Sequence, residues 1–198
     1  MLEVAEFLRI KNEDYDVQDV VYLLNLNDYA RRDSIYEGAD NGLHRIYRRP
    51  TLMSLWFLRK AIYRLNKQGA ASVGWYEWMF DGNQEWGERA LLEMRDYAAE
   101  RDIGFSVVLL PSVYAYEDDG TYTLAYIHEG ITDFLEEQEI VHLDPREAFA
   151  EDPERFIDPT DHFHAEGARV MANYLTRALT LANPKLVQYR FPTSAEEN

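Results

Sequence analysis

The chain has 198 residues, 46% of them apolar, and carries 36 acidic against 20 basic side chains for a net charge of −16. That size and composition suit one globular domain with a true core, and the acidic balance argues against a nucleic-acid partner, which would need clustered Lys and Arg. With no cysteine, disulfides, thiolate catalysis and Cys-ligated metals are excluded.

The opening stretch, "MLEVAEFLRIKNEDYDV", is acidic and amphipathic and lacks the apolar run of a signal peptide. Val4, Ala5 and Leu8 share one helical stripe, with Leu2, Phe7 and Ile10 off it, which predicts a helix over 2–12. "DVVYLLNL", residues 19–26, is a continuous apolar run and reads as a fully buried strand. A long polar loop follows. Between residues 31 and 49 it carries five Arg and one His, a local exception to the acidity that suits either an anionic substrate or a solvated loop.

Pro50 opens a helix expected over 51–66. Arg and Lys interrupt its apolar residues, and no run in the chain reaches the length of a membrane span. "ASVGWYEWMFDGNQEW" reads as an aromatic-rich connector. Its Trp75, Trp78 and Trp86 either pack over a sheet or stack on a sugar or acyl group. A helix is expected over about 84–101, with Leu91, Met94 and Ala98 on one stripe. "GFSVVLLP", 104–111, is a second buried strand closed by Pro111, a helix follows over roughly 122–137, and "IVHLD", 140–144, is a third strand. The last helix runs from about Glu166 to Leu181, with Val170, Met171, Tyr174, Leu175, Ala178 and Leu179 forming its apolar stripe. Buried strands alternating with amphipathic helices predict an α/β fold in three α/β/α layers around a parallel sheet. The domain spans 1–182, and 183–198 forms a C-terminal tail.

In such sheets, sites lie just beyond the carboxyl ends of the strands. The polar segments there are "NLND", "PSVYAYED" and "DPREAF" after the three strands, and "FIDPTDHFHAEG", 156–167, leads into the last helix at the same rim. The last of these concentrates Asp158, Asp161, His162 and His164. The group reads as an imidazole base oriented by a carboxylate, as a metal site lacking any familiar ligand spacing, or as a polar loop in which Asp161 caps the helix. Asn27 and Asp28 could likewise form an Asx turn. His164 reads as solvent-facing, and His128 and His142 as structural.

Asn27 at the end of a strand, followed far downstream by His162 five residues before Gly167, resembles the SGNH (GDSL-type) hydrolases. That family carries a Gly-x-Asn-Asp block after its third strand and an Asp-x-x-His block before its last helix. Here "NLND" has Asn25 in the place of the glycine, and "HFHAEGARVMANYL" keeps the histidine-to-glycine spacing. The resemblance implies a flavodoxin-like sheet and serine-dependent hydrolysis of a small-molecule or carbohydrate ester without a cofactor. It makes Asn27 an oxyanion donor and His162 the general base. Glycine spacing pairs His162 with Asp158, one residue further back than usual. The strict spacing pairs Asp161 with His164 but leaves Gly167 too close.

The family's nucleophilic Gly-Asp-Ser block has no counterpart before residue 19, and Ser34, Ser54, Ser72, Ser106 and Ser112 stand in other contexts. The resemblance therefore implies a domain that is incomplete at its N-terminal side, with the strand at 19–26 left as an edge through which chains could self-associate. The alternatives are a non-catalytic α/β module that binds a ligand or partner at the same rim, and a metal-dependent hydrolase using Asp158, Asp161, His162 and His164.

Overall fold

A computed structural model describes residues 2–15, 17–29, 70–158 and 162–182. The loop and helix expected over 30–66, the Arg cluster, Asp161 and the tail 183–198 lie outside the described residues. The described elements run α1 (Leu2–Asp14), β1 (Asp19–Asn25), α2 (Ala70–Ala99), β2 (Gly104–Leu110), α3 (Ala125–Glu137), β3 (Val141–Leu143), the short α4 (Pro153–Phe156) and α5 (Ala165–Ala182). The strands form one parallel sheet in the order β1-β2-β3, with Asp19 opposite Gly104 and Ser106 opposite Val141.

Side chains alternate across a strand, and here each face has its own core. Tyr22 and Leu24 of β1 join Val107 and Leu109 of β2 beneath α1, α2 and α3. Val108 faces the other way, with Val21, Leu110 and Leu143, against α4 and α5. The fold is therefore three-layered, α/β/α. β2 is the strand buried from both sides, with Val107, Val108 and Leu109 all fully inaccessible.

β1 departs from the fully buried strand expected. Its burial alternates: Leu24 is 0% exposed and Leu23, on the α5 side, is 41% exposed. Among the described residues it pairs with β2 alone and is the outermost described strand on its side. On α1, Ala5 and Leu8 are buried while Phe7 and Ile10 are exposed, as their helical stripe requires.

The aromatic connector expected over 71–86 is instead the first half of α2, which is continuous for 30 residues. Tyr76, Met79, Phe80 and Asn83 are buried at three- and four-residue spacing, and the series continues through Ala90, Leu91, Met94 and Ala98. "DGN" looks like a turn, yet a Cβ on Gly82 would meet nothing within 4 Å, and Asn83 Nδ2 donates to the Met79 carbonyl 2.9 Å away, inside the helix. Burial of the aromatic stripe overrides the local turn preference. Trp78 and Trp86 pack against the core, whereas the Trp75 side chain lies outside the described set.

α2 and α3 stop in the same way. Ile103 N–H reaches back to Ala98 O at 2.9 Å and Asp102 N–H to Ala99 O at 3.4 Å; Ile140 N–H reaches Leu135 O at 2.8 Å and Glu139 N–H reaches Glu136 O at 3.0 Å. These are Schellman closures, which need a left-handed residue. Asp102 (φ 55°) and Glu139 (φ 54°) supply it. The following Ile103 and Ile140 are buried and lead directly into β2 and β3. The helix stop is thus also the strand start.

α5 lies antiparallel to the strands. A Cβ on Gly104, at the start of β2, would stand 3.6 Å from the Ala182 carbonyl at the end of α5. The first turn of α5 therefore sits at the opposite rim, where the strands end.

Two substitutions test these backbone demands. Glu139→Gly relieves a left-handed side-chain residue and is expected to raise stability by about 0.5–1 kcal/mol. Gly87→Ala would normally gain about 1 kcal/mol in a helix, but its Cβ would collide with the ring of the fully buried Tyr29. A net loss of about 1–3 kcal/mol is expected. Urea midpoints read both signs.

Candidate functional site

At the end of β1 the chain turns through a 3-10 segment, Leu26–Tyr29, whose Leu26 and Tyr29 are buried. Asn25 Oδ1 accepts the Asn27 N–H at 3.0 Å, an Asx turn. Asp28 Oδ2 accepts both the Asn25 N–H and the Tyr22 hydroxyl, each at 3.0 Å. Burial, then the charge of Asp28, pushes the Tyr22 hydroxyl far above its ordinary value and keeps it a donor. The turn holds Asn27 exposed at the rim.

Before α5 two segments of the chain meet in a narrow neck. Ile157 and Phe163 pair across it in an antiparallel bridge. Asp158 N–H donates to His162 O at 2.8 Å, and His162 N–H donates to Asp158 Oδ1 at 3.1 Å. The carboxylate thus grips the histidine's backbone. Its distance to the imidazole Nδ1 is 3.8 Å, an ion-pair range rather than the hydrogen-bond range of about 2.6–3.2 Å expected for an oriented base. The His162 side chain is 79% exposed. Asp161 lies outside the described residues, and His164 faces solvent as read from the sequence.

Gly167 has a packing reason. A Cβ there would run into the carbonyl of Phe156, so only glycine lets the first turn of α5 lie against α4. The histidine-to-glycine spacing therefore runs from the neck, where His162 meets Asp158, to this close approach.

The other two described histidines are held by hydrogen bonds. His142 Nδ1 meets the Ile140 carbonyl at 2.9 Å. His128, wholly buried, anchors a polar web. Its Nδ1 lies 3.0 Å from Asp144 Oδ2, and its Nε2 lies 3.1 Å from the Tyr122 hydroxyl. A carboxylate can only accept, so in the neutral imidazole Nδ1 carries the proton and Nε2 accepts from Tyr122. The Tyr122 oxygen in turn accepts the Ser112 N–H at 3.0 Å.

Arg146 completes the web. Its Nε is 3.2 Å from Asp144 Oδ2, its backbone N–H donates to Asp144 Oδ1 at 3.1 Å, and its guanidinium donates to Ala125 O at 3.0 Å. The three rim segments after β2, before α3 and after β3 are thereby tied together. Sequence reading took His128 as structural but had no signal for its partners, which lie 6 and 16 residues away. Burial alone pushes the Asp144 carboxyl up. The His128 hydrogen bond, with the Arg146 N–H and guanidinium, outweighs it and holds the carboxyl below its ordinary 3.8.

Ser106 and Ser112 are both buried. No group of three or more metal-ligating side chains occurs among the described residues. Beside the rim, an open cleft of about 220 Å³ is lined by Tyr116, Glu117, Asp118, Glu151, Asp152 and Glu154, among others. No described helix is long and apolar enough to cross a membrane. No protein-family model, curated protein or solved structure matches the chain.

Asp144 yields a pH-dependent prediction. A carboxyl depressed in the folded state stabilises above its unfolded value, and that contribution fades as pH falls through the folded value. Asp144→Asn is expected to cost about 1.5–3 kcal/mol at pH 7, the size of hydrogen bonds to a charged group. The gap to the wild type should narrow below pH 3.8, the ordinary carboxyl value. Denaturant midpoints measured at pH 7 and pH 3 test this; a gap that stays constant counts against an ionised Asp144.

Proposed function

We propose that this chain forms the sheet and base-bearing part of an SGNH-type serine ester hydrolase site, acting on a small-molecule or carbohydrate ester. The observation that carries the reading is placement. Asn27, at the end of β1, and His162, on the loop into α5, both lie at the carboxyl rim of a parallel sheet covered on both faces. In this reading a serine hydroxyl attacks the ester carbonyl and His162 takes its proton. Asn27 donates its side-chain N–H to the oxyanion, and His162 then returns the proton to the departing alkoxide. The backbone grip of Asp158 shapes the loop, and the imidazole has about 0.6–1.2 Å to close to reach hydrogen-bond range.

No serine among the 198 residues stands in a Gly-Asp-Ser block. In this reading the 198-residue chain alone is therefore expected to remain unlabelled by a fluorophosphonate probe. The protein isolated from its own cells, with whatever residues accompany these, is expected to be labelled and to hydrolyse p-nitrophenyl acetate. In that active form His162→Ala should lower kcat by roughly 10²–10⁴-fold, the worth of a positioned general base. Unchanged turnover in that variant would sink the reading, as would labelling of a serine within the 198 residues.

A second reading, a non-catalytic module binding at this rim, draws on one observation, the exposed imidazole held 3.8 Å from its carboxylate. The outer edge of β1, with Leu23 half-exposed, also offers a place for a second copy to pair. A mass by light scattering that stays monomeric at rising concentration would exclude that association.

A further inference from the structure

We propose that Arg155 and Glu166 are positioning residues for His162, clamping the neck from which its loop projects. The proposal rests on the rim reading above only for the purpose of the clamp; the clamp itself stands on geometry. Arg155 belongs to α4 and Glu166 to the first turn of α5. Arg155 Nε donates to Glu166 Oε2 at 2.9 Å, and its terminal NH2 nitrogen bonds Glu166 Oε1. Two parallel donors on two carboxylate oxygens form a side-on fork, which fixes orientation as well as distance.

The fork spans the two segments that meet at the close approach of Gly167 to the Phe156 carbonyl. The same carbonyl accepts the His164 N–H at 2.8 Å. Behind it, Phe149 packs on Phe156 (ring centroids 5.4 Å apart) and on Phe163 (5.6 Å). His162 sits one residue before the bridged Phe163 of this neck. α4 is only four residues long, so its own hydrogen bonds cannot hold its direction. Any pivot of α4 on α5 would carry the loop, and His162 with it, relative to Asn27 on the separate β1 turn.

The competing reading is that Arg155–Glu166 is an ordinary surface pair. Both side chains are about half exposed, and isolated pairs of that kind contribute little to stability. Glu166 would also favour the start of α5 through the helix dipole with no partner at all. A dipole role survives loss of the fork, whereas a clamp does not. Arg155→Lys keeps the charge and loses the fork, and so separates the two.

The test uses the 198-residue chain and needs no catalysis. Long-range ¹H–¹⁵N spectra report the His162 ring, assigned with His162→Gln, and thermal midpoints report the fold. Arg155→Lys and Glu166→Gln are each expected to shift or broaden the His162 ring signals while moving the midpoint by no more than roughly 3 °C. The double variant should look like either single, because both remove one interaction. Unchanged His162 signals in both singles overturn the clamp, as does a double variant whose effects add. If the clamp holds while the His162→Ala turnover test fails, the hydrolase reading falls and the clamp remains a property of the loop.

Discussion

Burial of β2 from both faces is the constraint from which the other elements take their places. Val107 and Leu109 need a cover on one side and Val108 on the other, and all three are fully inaccessible. A parallel sheet supplies that cover through its crossovers. α2 and α3 fill one face, and α5 returns over the other. Because α5 runs back from the strand ends to the start of β2, its first turn is delivered to the rim together with the loops that follow the strands. The place where chemistry could be assembled is thus a consequence of how one strand is hidden.

The rim carries two kinds of restraint. The web links buried Ser112, Tyr122 and His128 to the partly buried Asp144 and Arg146 through a continuous run of hydrogen bonds. Low local polarity strengthens those bonds and makes loss of any one partner costly. The neck of the His162 loop is different. It depends on aromatic packing, a glycine contact and an exposed fork, and its imidazole lies in water. The first ties three rim segments together, and the second leaves the exposed His162 on a support that a single charge pair can tune.

Some residues carried two meanings in one symbol. Gly167 marks a family-like spacing and is also the only residue that fits against Phe156. Asp158, which the resemblance would make the base-orienting acid, spends one oxygen on the His162 backbone. Asn25, standing where the resembled family has glycine, closes an Asx turn on Asn27. In each case a local structural need accounts for the residue without removing the functional reading, because packing and chemistry make demands on different atoms.

The sequence by itself determined the fold class and the order of its strands and long helices. The three strands, the helix before the third and the last helix were legible because their apolar periods are strong and a local period decides which face is buried. It also determined that Asn27 and His162 belong to segments that end or begin at one rim, since strand direction and crossover chemistry dictate that. The continuity of α2 was decided only by tertiary packing: Tyr76, Met79 and Phe80 share a face with Leu91 and Met94, and no local signal outweighs the turn-like "DGN" until that face has a core to enter. Tertiary structure alone likewise decided the partial exposure of β1, which depends on what stands beside it. The partners of His128 and the 3.8 Å gap between Asp158 and His162 were decided there too. Distances between side chains from separate segments are set by how the layers close on each other, and no period along the chain encodes them.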